Sequence, residues 1–145
     1  MLRKSLFALI TFQFLTAFIH SLSFFAKPNP SDATNETEKQ LIDLFVNYNQ
    51  DLGAGFSRST YDLFTGLSAC FTLICILGGW VNLYFLRKKL NSSLFRGLLF
   101  IEMVVFGVVF LVMILYTFLP PIALSGLIFA GCLISWHSSS KDTLT

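Results

Sequence analysis

Long apolar blocks alternate along this chain with short charged joints. Four blocks stand out, at residues 6–26, 61–86, 94–119 and 120–136. A helix needs roughly 20 predominantly apolar residues to cross the hydrocarbon core of a bilayer. The first three blocks meet that length, the second and third leave room for tilt, and the fourth, PPIALSGLIFAGCLISW, is short. The pattern predicts an all-α protein: a four-helix transmembrane bundle forming a single domain over residues 1–145, with residues 27–60 outside the membrane.

The segment 27–60 has a pattern of its own. KPNPSD at its start holds two prolines that enforce an extended path. Asn35 then suits a helix N-cap, Glu38 stands three residues on as in a capping box, and Glu36 suits the positive end of a helix dipole. Leu41, Leu44, Phe45 and Tyr48 recur at helical spacing, and Gly53 and Gly55 end the run. A short amphipathic helix is expected here, lying on the bundle or in the headgroup layer, with a gating lid as the sharper alternative. Asn35-Glu36-Thr37 also matches a glycosylation acceptor, a weak signal relevant only in a secretory pathway. RKKLNSSLFR makes the second and third spans antiparallel neighbours, and Leu-Pro-Pro at 119–121 gives the third and fourth a tighter turn.

Composition agrees with the blocks. The 145 residues are 54% hydrophobic and 12% charged, with a mean hydropathy of +0.70, too apolar for a dispersed soluble domain. A net charge of +2 with no mixed basic and aromatic stretch gives no reason to expect a nucleic-acid partner. Charge placement sets the orientation. Arg3, Lys4, Arg87, Lys88, Lys89, Arg96 and Lys141 fall on one side of the spans, with Asp142 as the loop acid there. Lys27, Lys39 and Arg58 fall on the other, beside Asp32, Glu36, Glu38, Asp43, Asp51 and Asp62. The positive-inside rule then puts both termini in the cytoplasm of a multi-pass cell-membrane protein, with Tyr61, Tyr84, Tyr116 and Trp136 at interfaces. A cleaved signal peptide over residues 1–23 competes with the first span, through its basic start and Ser21 and Ser23. The apolar run continues past it through SFFA and carries Gln13 and His20, which favours a retained span.

The polar residues inside the spans are the informative ones. In the second span Thr65, Ser68, Thr72, Cys75, Gly79 and Asn82 follow intervals of 3, 4, 3, 4 and 3, a single helical face of small or polar side chains. Such a face looks into protein, where small residues permit close approach and amides and hydroxyls supply bonds. It serves packing first, and a lined cavity is the alternative. Gln13, Thr16, His20 and Ser23 form a similar stripe in the first span, and Ala123, Gly126 and Ala130 a shorter one in the fourth. Cys70, Cys75 and Cys132 all lie in spans, where small residues at helix contacts are expected and a redox pair is not.

Glu102 interrupts the apolar run RGLLFIEMVVFGVVFL, and a carboxyl there must be answered. At a rise of 1.5 Å per residue, Asn82 lies ~7 Å inward of Arg87, Glu102 ~9 Å inward of Arg96 and Gln13 ~13 Å from Lys4. The three are expected to share an inner polar layer, with the two amides donating to the carboxyl. The competing reading has Glu102 reach the interface or pair with a loop base such as Lys88. His20, Thr65 and Ser68 make an outer layer, and His20 there most simply bonds a neighbouring hydroxyl. The heights of His20 and Glu102 differ by ~12 Å in a ~30 Å core, so one acid–base site built from both is disfavoured. No metal-ligand spacing, nucleophile elbow or phosphate loop occurs, and no cofactor or metal is expected.

Phe64, Gly66, Ser68, Gly79 and Asn82-Leu83 in the second span resemble a pattern in a family of small bacterial integral membrane proteins with four predicted transmembrane helices. His20 in FIHSLSFF resembles a histidine common at the end of that family's first span. The resemblance covers chiefly spans one and two and implies the four-span architecture without an activity; the added glycine and Trp80 depart from the pattern.

Three functions follow. The first is binding of a small amphiphilic ligand or a membrane-protein partner through the polar interior, with Glu102, Asn82, Gln13, His20, Ser68 and Thr72 as its residues. The second is a transporter or proton-coupled component using Glu102. The third is an intramembrane enzyme with His20 as its acid–base residue.

Overall fold

The computed structural model describes residues 2–88 and 92–139. Lys89 in the basic loop, and Lys141 and Asp142 in the tail, lie outside them. The elements are α1 (Leu2–Leu22), α2 (Glu36–Asn47), β1 (Asn49–Asp51), β2 (Ser57–Ser59), α3 (Thr60–Lys88), α4 (Ser92–Tyr116) and α5 (Leu119–Ser138). Among the described residues, α1, α3, α4 and α5 are long and apolar enough to cross a membrane, which marks a multi-pass membrane protein.

Two helix ends differ from the sequence expectation. α1 begins at Leu2 rather than residue 6, because no breaker precedes it and Leu2 and Leu6 are both buried. α4 stops at Tyr116 rather than 119. Phe118 takes an extended conformation, and Leu119, Pro120 and Pro121 open the next helix. A proline needs no N–H in the first turn of a helix and disfavours helix before it, so the break falls ahead of the pair.

The chain divides into two compact units: Met1–Ala17 with Ile74–Thr145, and Phe18–Leu73. The core of the first holds Leu6, Leu9, Leu86, Phe95, Leu99, Phe106 and Ile128. Glycine and phenylalanine interlock α4 with α5. The rings of Phe110 and Phe129 stack with centroids 6.0 Å apart. A Cβ built at Gly107 would lie 3.1 Å from the Phe129 ring, and one at Gly126 3.0 Å from the Phe110 ring. A methyl at either glycine would make the facing ring shift by a few tenths of an ångström. Gly131 similarly lets the Leu9 backbone of α1 come close to α5.

The buried face of α5 is Ser125, Ile128, Gly131, Cys132, Ser135 and Ser138. This corrects the expected contact face, since Ala123 and Ala130 are exposed. α4 turns Ile101, Val104, Val105, Val108, Leu111 and Leu115 outward, an apolar surface suited to lipid.

The second unit is tied together by caps. The Asn35 side chain accepts from Glu38 N at 2.8 Å and starts α2. Glu38 reaches one residue further back than a capping box requires, accepting from Thr34 N at 2.8 Å and from the Thr34 hydroxyl. Phe45 of α2 packs on Tyr61 and Phe64 of α3, at centroid distances of 6.1 and 5.8 Å. Gly53 and Gly55 belong to more than a helix stop. Gly53, Ala54 and Gly55 all have positive φ and turn an antiparallel hairpin that pairs Asn49 with Ser59 and Asp51 with Ser57. β2 then runs straight into α3, where Ser59 and Asp62 exchange 3.1 Å bonds as a reciprocal capping box.

Candidate functional site: a buried carboxyl with two amides

Within the first unit, Gln13 of α1, Asn82 of α3 and Glu102 of α4 meet. Each helix presents its polar residue inward because the alternative is an unpaired amide or carboxyl in hydrocarbon. Asn82 Nδ2 donates to Glu102 Oε2 at 2.7 Å and to Gln13 Oε1 at 3.1 Å. Gln13 Nε2 donates to the same Glu102 oxygen at 3.4 Å. Cys132 Sγ of α5 stands 4.0 Å from it, so four helices supply the cluster. The three contacts to Glu102 all converge on Oε2, and the bond from Asn82 to Gln13 joins the two amides. Gln13 and Asn82 are fully enclosed, whereas Glu102 keeps 8% of its surface accessible.

The small-residue face of α3 leads to this cluster. Cys75, Gly79 and Asn82 are buried on it in the first unit. Gly78 proves equally important. A Cβ there would lie 2.5 Å from Gln13 Nε2, so the absent side chain is what lets the amide lie against α3. At Gly79 a Cβ would come within 3.0 Å of the Phe14 ring, whose edge meets Trp80.

Three buried side-chain oxygens have no hydrogen-bond partner among the described residues: Thr16 Oγ1, Asn82 Oδ1 and Ser135 Oγ. Thr16 lies one turn along α1 from Gln13, and Ser135 one turn along α5 from Cys132. The unmatched oxygens therefore sit on the cluster or on the same helix faces beside it.

His20, Ser68 and Thr72 belong to the second unit. The half-buried His20 ring meets Phe71 edge-on, with centroids 5.1 Å apart. Among the described residues no hydroxyl is seen bonding the ring, and the Ser23 hydroxyl donates instead to the His20 backbone carbonyl at 2.6 Å. Thr72 donates to Ser68 O at 3.0 Å, and Thr65 to Tyr61 O at 2.9 Å. These hydroxyls are spent on their own helix, as is common for Ser and Thr within membrane helices.

Gly78 and Cys132 were missed as site residues. A Gly-Gly pair signals close approach without saying which member faces inward, and a lone cysteine in a span reads first as a small packing residue. The 3, 4 spacing of Ser125, Ile128, Cys132 and Ser135 was the available signal. Among the described residues no group of three or more His, Cys, Asp or Glu is placed to hold a metal ion.

The fold and cluster define a helical, multi-pass membrane chain with a carboxyl enclosed by amides. No family model, curated protein or solved structure matches it, so the likeness of the second span to a small-membrane-protein family assigns nothing further.

Proposed function

We propose that this chain is a cell-membrane protein whose four spans form a bundle with both termini cytoplasmic. It acts by binding a small amphiphilic molecule at the Glu102 cluster. The charge asymmetry of the joints supports the orientation. One observation supports the binding reading: Asn82 Oδ1 of the cluster, and Thr16 Oγ1 and Ser135 Oγ one helical turn from its members, are buried oxygens without partners among the described residues, near a glutamate that is not fully enclosed. An unmatched buried acceptor or hydroxyl costs about 1–3 kcal/mol, and a donor-bearing head group is one source of the missing bonds. The chemistry calls for a polar head with hydrogen-bond donors, neutral or cationic, on an apolar tail suited to the surrounding Leu, Phe and Ile side chains. A membrane-protein partner offering the same groups is the other source of such donors.

Mass spectrometry of the intact protein released from its native membrane tests this. A discrete small-molecule adduct is expected on the wild type and lost from Asn82→Leu, with helix content retained in both. Adduct-free wild type, or an equal adduct on Asn82→Leu, refutes the reading.

A second reading, a proton-coupled component working through Glu102, is favoured by the hydroxyls of Thr16 and Ser135, which can host relaying waters on either side of the carboxyl. It requires Glu102→Gln to abolish proton-linked transport while the fold persists.

A further inference from the structure

We infer that α2 and the hairpin form an in-plane element seated in the bilayer surface, a contact separate from the Glu102 cluster. It shares with the proposed function only the reading of α3 as a span. α2 has two apolar flanks. Phe45 and Val46 face the rest of their unit, with Phe45 against Tyr61 and Phe64 and Val46 buried. Leu41, Leu44 and Tyr48 form the other flank and are all exposed. Leu52 and Phe56 flank the hairpin turn, joined by a 2.9 Å bond from Leu52 N to Phe56 O, and both are exposed too. Glu36, Gln40, Asp43 and Asn47 occupy the opposite, polar arc of the helix.

Three observations say what covers this surface. Phe64, which Phe45 touches, is itself 59% exposed within the spanning length of α3, so α2 rests beside a lipid-facing side chain. β2 enters α3 without a linker and is locked there by the Ser59–Asp62 box, which holds the hairpin at the membrane boundary. Lys27 Nζ lies 5.7 Å above the Tyr61 ring, an arrangement of cation and aromatic that belongs at the headgroup level. An apolar flank at that height inserts about 5–10 Å into the headgroup and acyl boundary. Three acids against one lysine on α2 leave no electrostatic pull toward anionic lipid. The partner is therefore a bilayer surface of low charge, gripped through apolar area.

The test uses the full chain in phosphatidylcholine vesicles, with Cys70→Ser removing the exposed thiol; Cys75 and Cys132 are buried. Nitroxides are placed at Leu44→Cys, Asp43→Cys and, as the control for the span, Leu67→Cys. The ratio of collisions with oxygen to collisions with a neutral nickel chelate is expected to be several-fold higher at 44 than at 43, and higher still at 67. Equal ratios at 43 and 44 overturn the inference. So does a label at 44 shielded from both reagents, which would mean a protein partner or a second copy. A water-like ratio at 67 overturns the spanning reading of α3 and this inference with it.

Discussion

Gly78→Ala is the substitution whose effect depends most sharply on the Glu102 cluster. The new methyl would lie 2.5 Å from Gln13 Nε2 and 3.3 Å from its Cδ, while Phe106, at 3.7 Å, is in ordinary contact. The obstacle is the free end of a flexible side chain, so the clash is relieved when the Gln13 amide swings away. That movement breaks the 3.4 Å bond to Glu102 and the 3.1 Å bond from Asn82. Two buried polar bonds in a membrane interior are worth ~0.6 kcal/mol each by one measure and about 1 each by another. Residual crowding of a packed helix contact adds about 1–3 kcal/mol. Against this, alanine stabilises a helix interior over glycine by about 1 kcal/mol. The net is destabilisation of about 1–4 kcal/mol.

In a Gln13→Ala background the same methyl meets nothing closer than Phe106, so only the helix preference remains and Gly78→Ala stabilises by about 1 kcal/mol. The sign reverses, and the double-mutant coupling is about 2–5 kcal/mol. Reversible unfolding of the four proteins in mixed detergent micelles reads it directly. A Gly78→Ala effect of the same sign and size in both backgrounds, with coupling below about 0.5 kcal/mol, would refute the packing of Gln13 on α3.

Other outcomes follow from single contacts. Glu102→Gln keeps an acceptor for both amides and should cost under about 1 kcal/mol, while Glu102→Leu strands two donors and should cost about 1–3 kcal/mol in the same unfolding assay. Ala54 has φ +52°, in the left-handed region that costs an L-residue about 1–2 kcal/mol, so Ala54→Gly should raise the exchange protection of the Leu52 amide. The Thr34 hydroxyl, and after it the Thr34 N–H, hold the Glu38 carboxyl below the ordinary glutamate value. Its contribution to the start of α2 is therefore present above that ordinary value and is lost as pH falls through the lowered one. Protection of the Thr34 amide should fall over that window in the wild type and show no such step in Glu38→Gln.

Much of this arrangement was legible because the membrane leaves few choices. A glutamine, an asparagine and a glutamate set in apolar runs have little to bond except one another, and simple helix rise put them near one level. The cap at Asn35 was legible for a similar reason, since an orphan N–H at a helix start seeks the nearest side-chain oxygen. The hairpin was not. Asn49 to Asp51 and Ser57 to Arg58 are exposed on both faces, so no alternation of apolar and polar residues announces a strand, and its glycines look like an ordinary helix stop. α5 misled because two sets of small residues share the same period. Ser125, Ile128, Cys132 and Ser135 are buried, while Ala123 and Ala130 are exposed, and nothing local distinguishes them. The hydroxyls of Thr65 and Thr72 misled in another way, because each found its acceptor one turn back on its own helix.

The whole cluster turns on α3 delivering the Asn82 amide to the Glu102 carboxyl of α4. Magic-angle-spinning NMR in lipid bilayers, with nitrogen-labelled asparagine and carboxyl-carbon-labelled glutamate, reads that contact directly. Asn82 Nδ2 and Glu102 Oε2 are 2.7 Å apart, so a strong nitrogen–carbon cross-peak is expected that disappears in Asn82→Leu. A spectrum without that cross-peak, or one unchanged by Asn82→Leu, would contradict the pairing of Asn82 with Glu102.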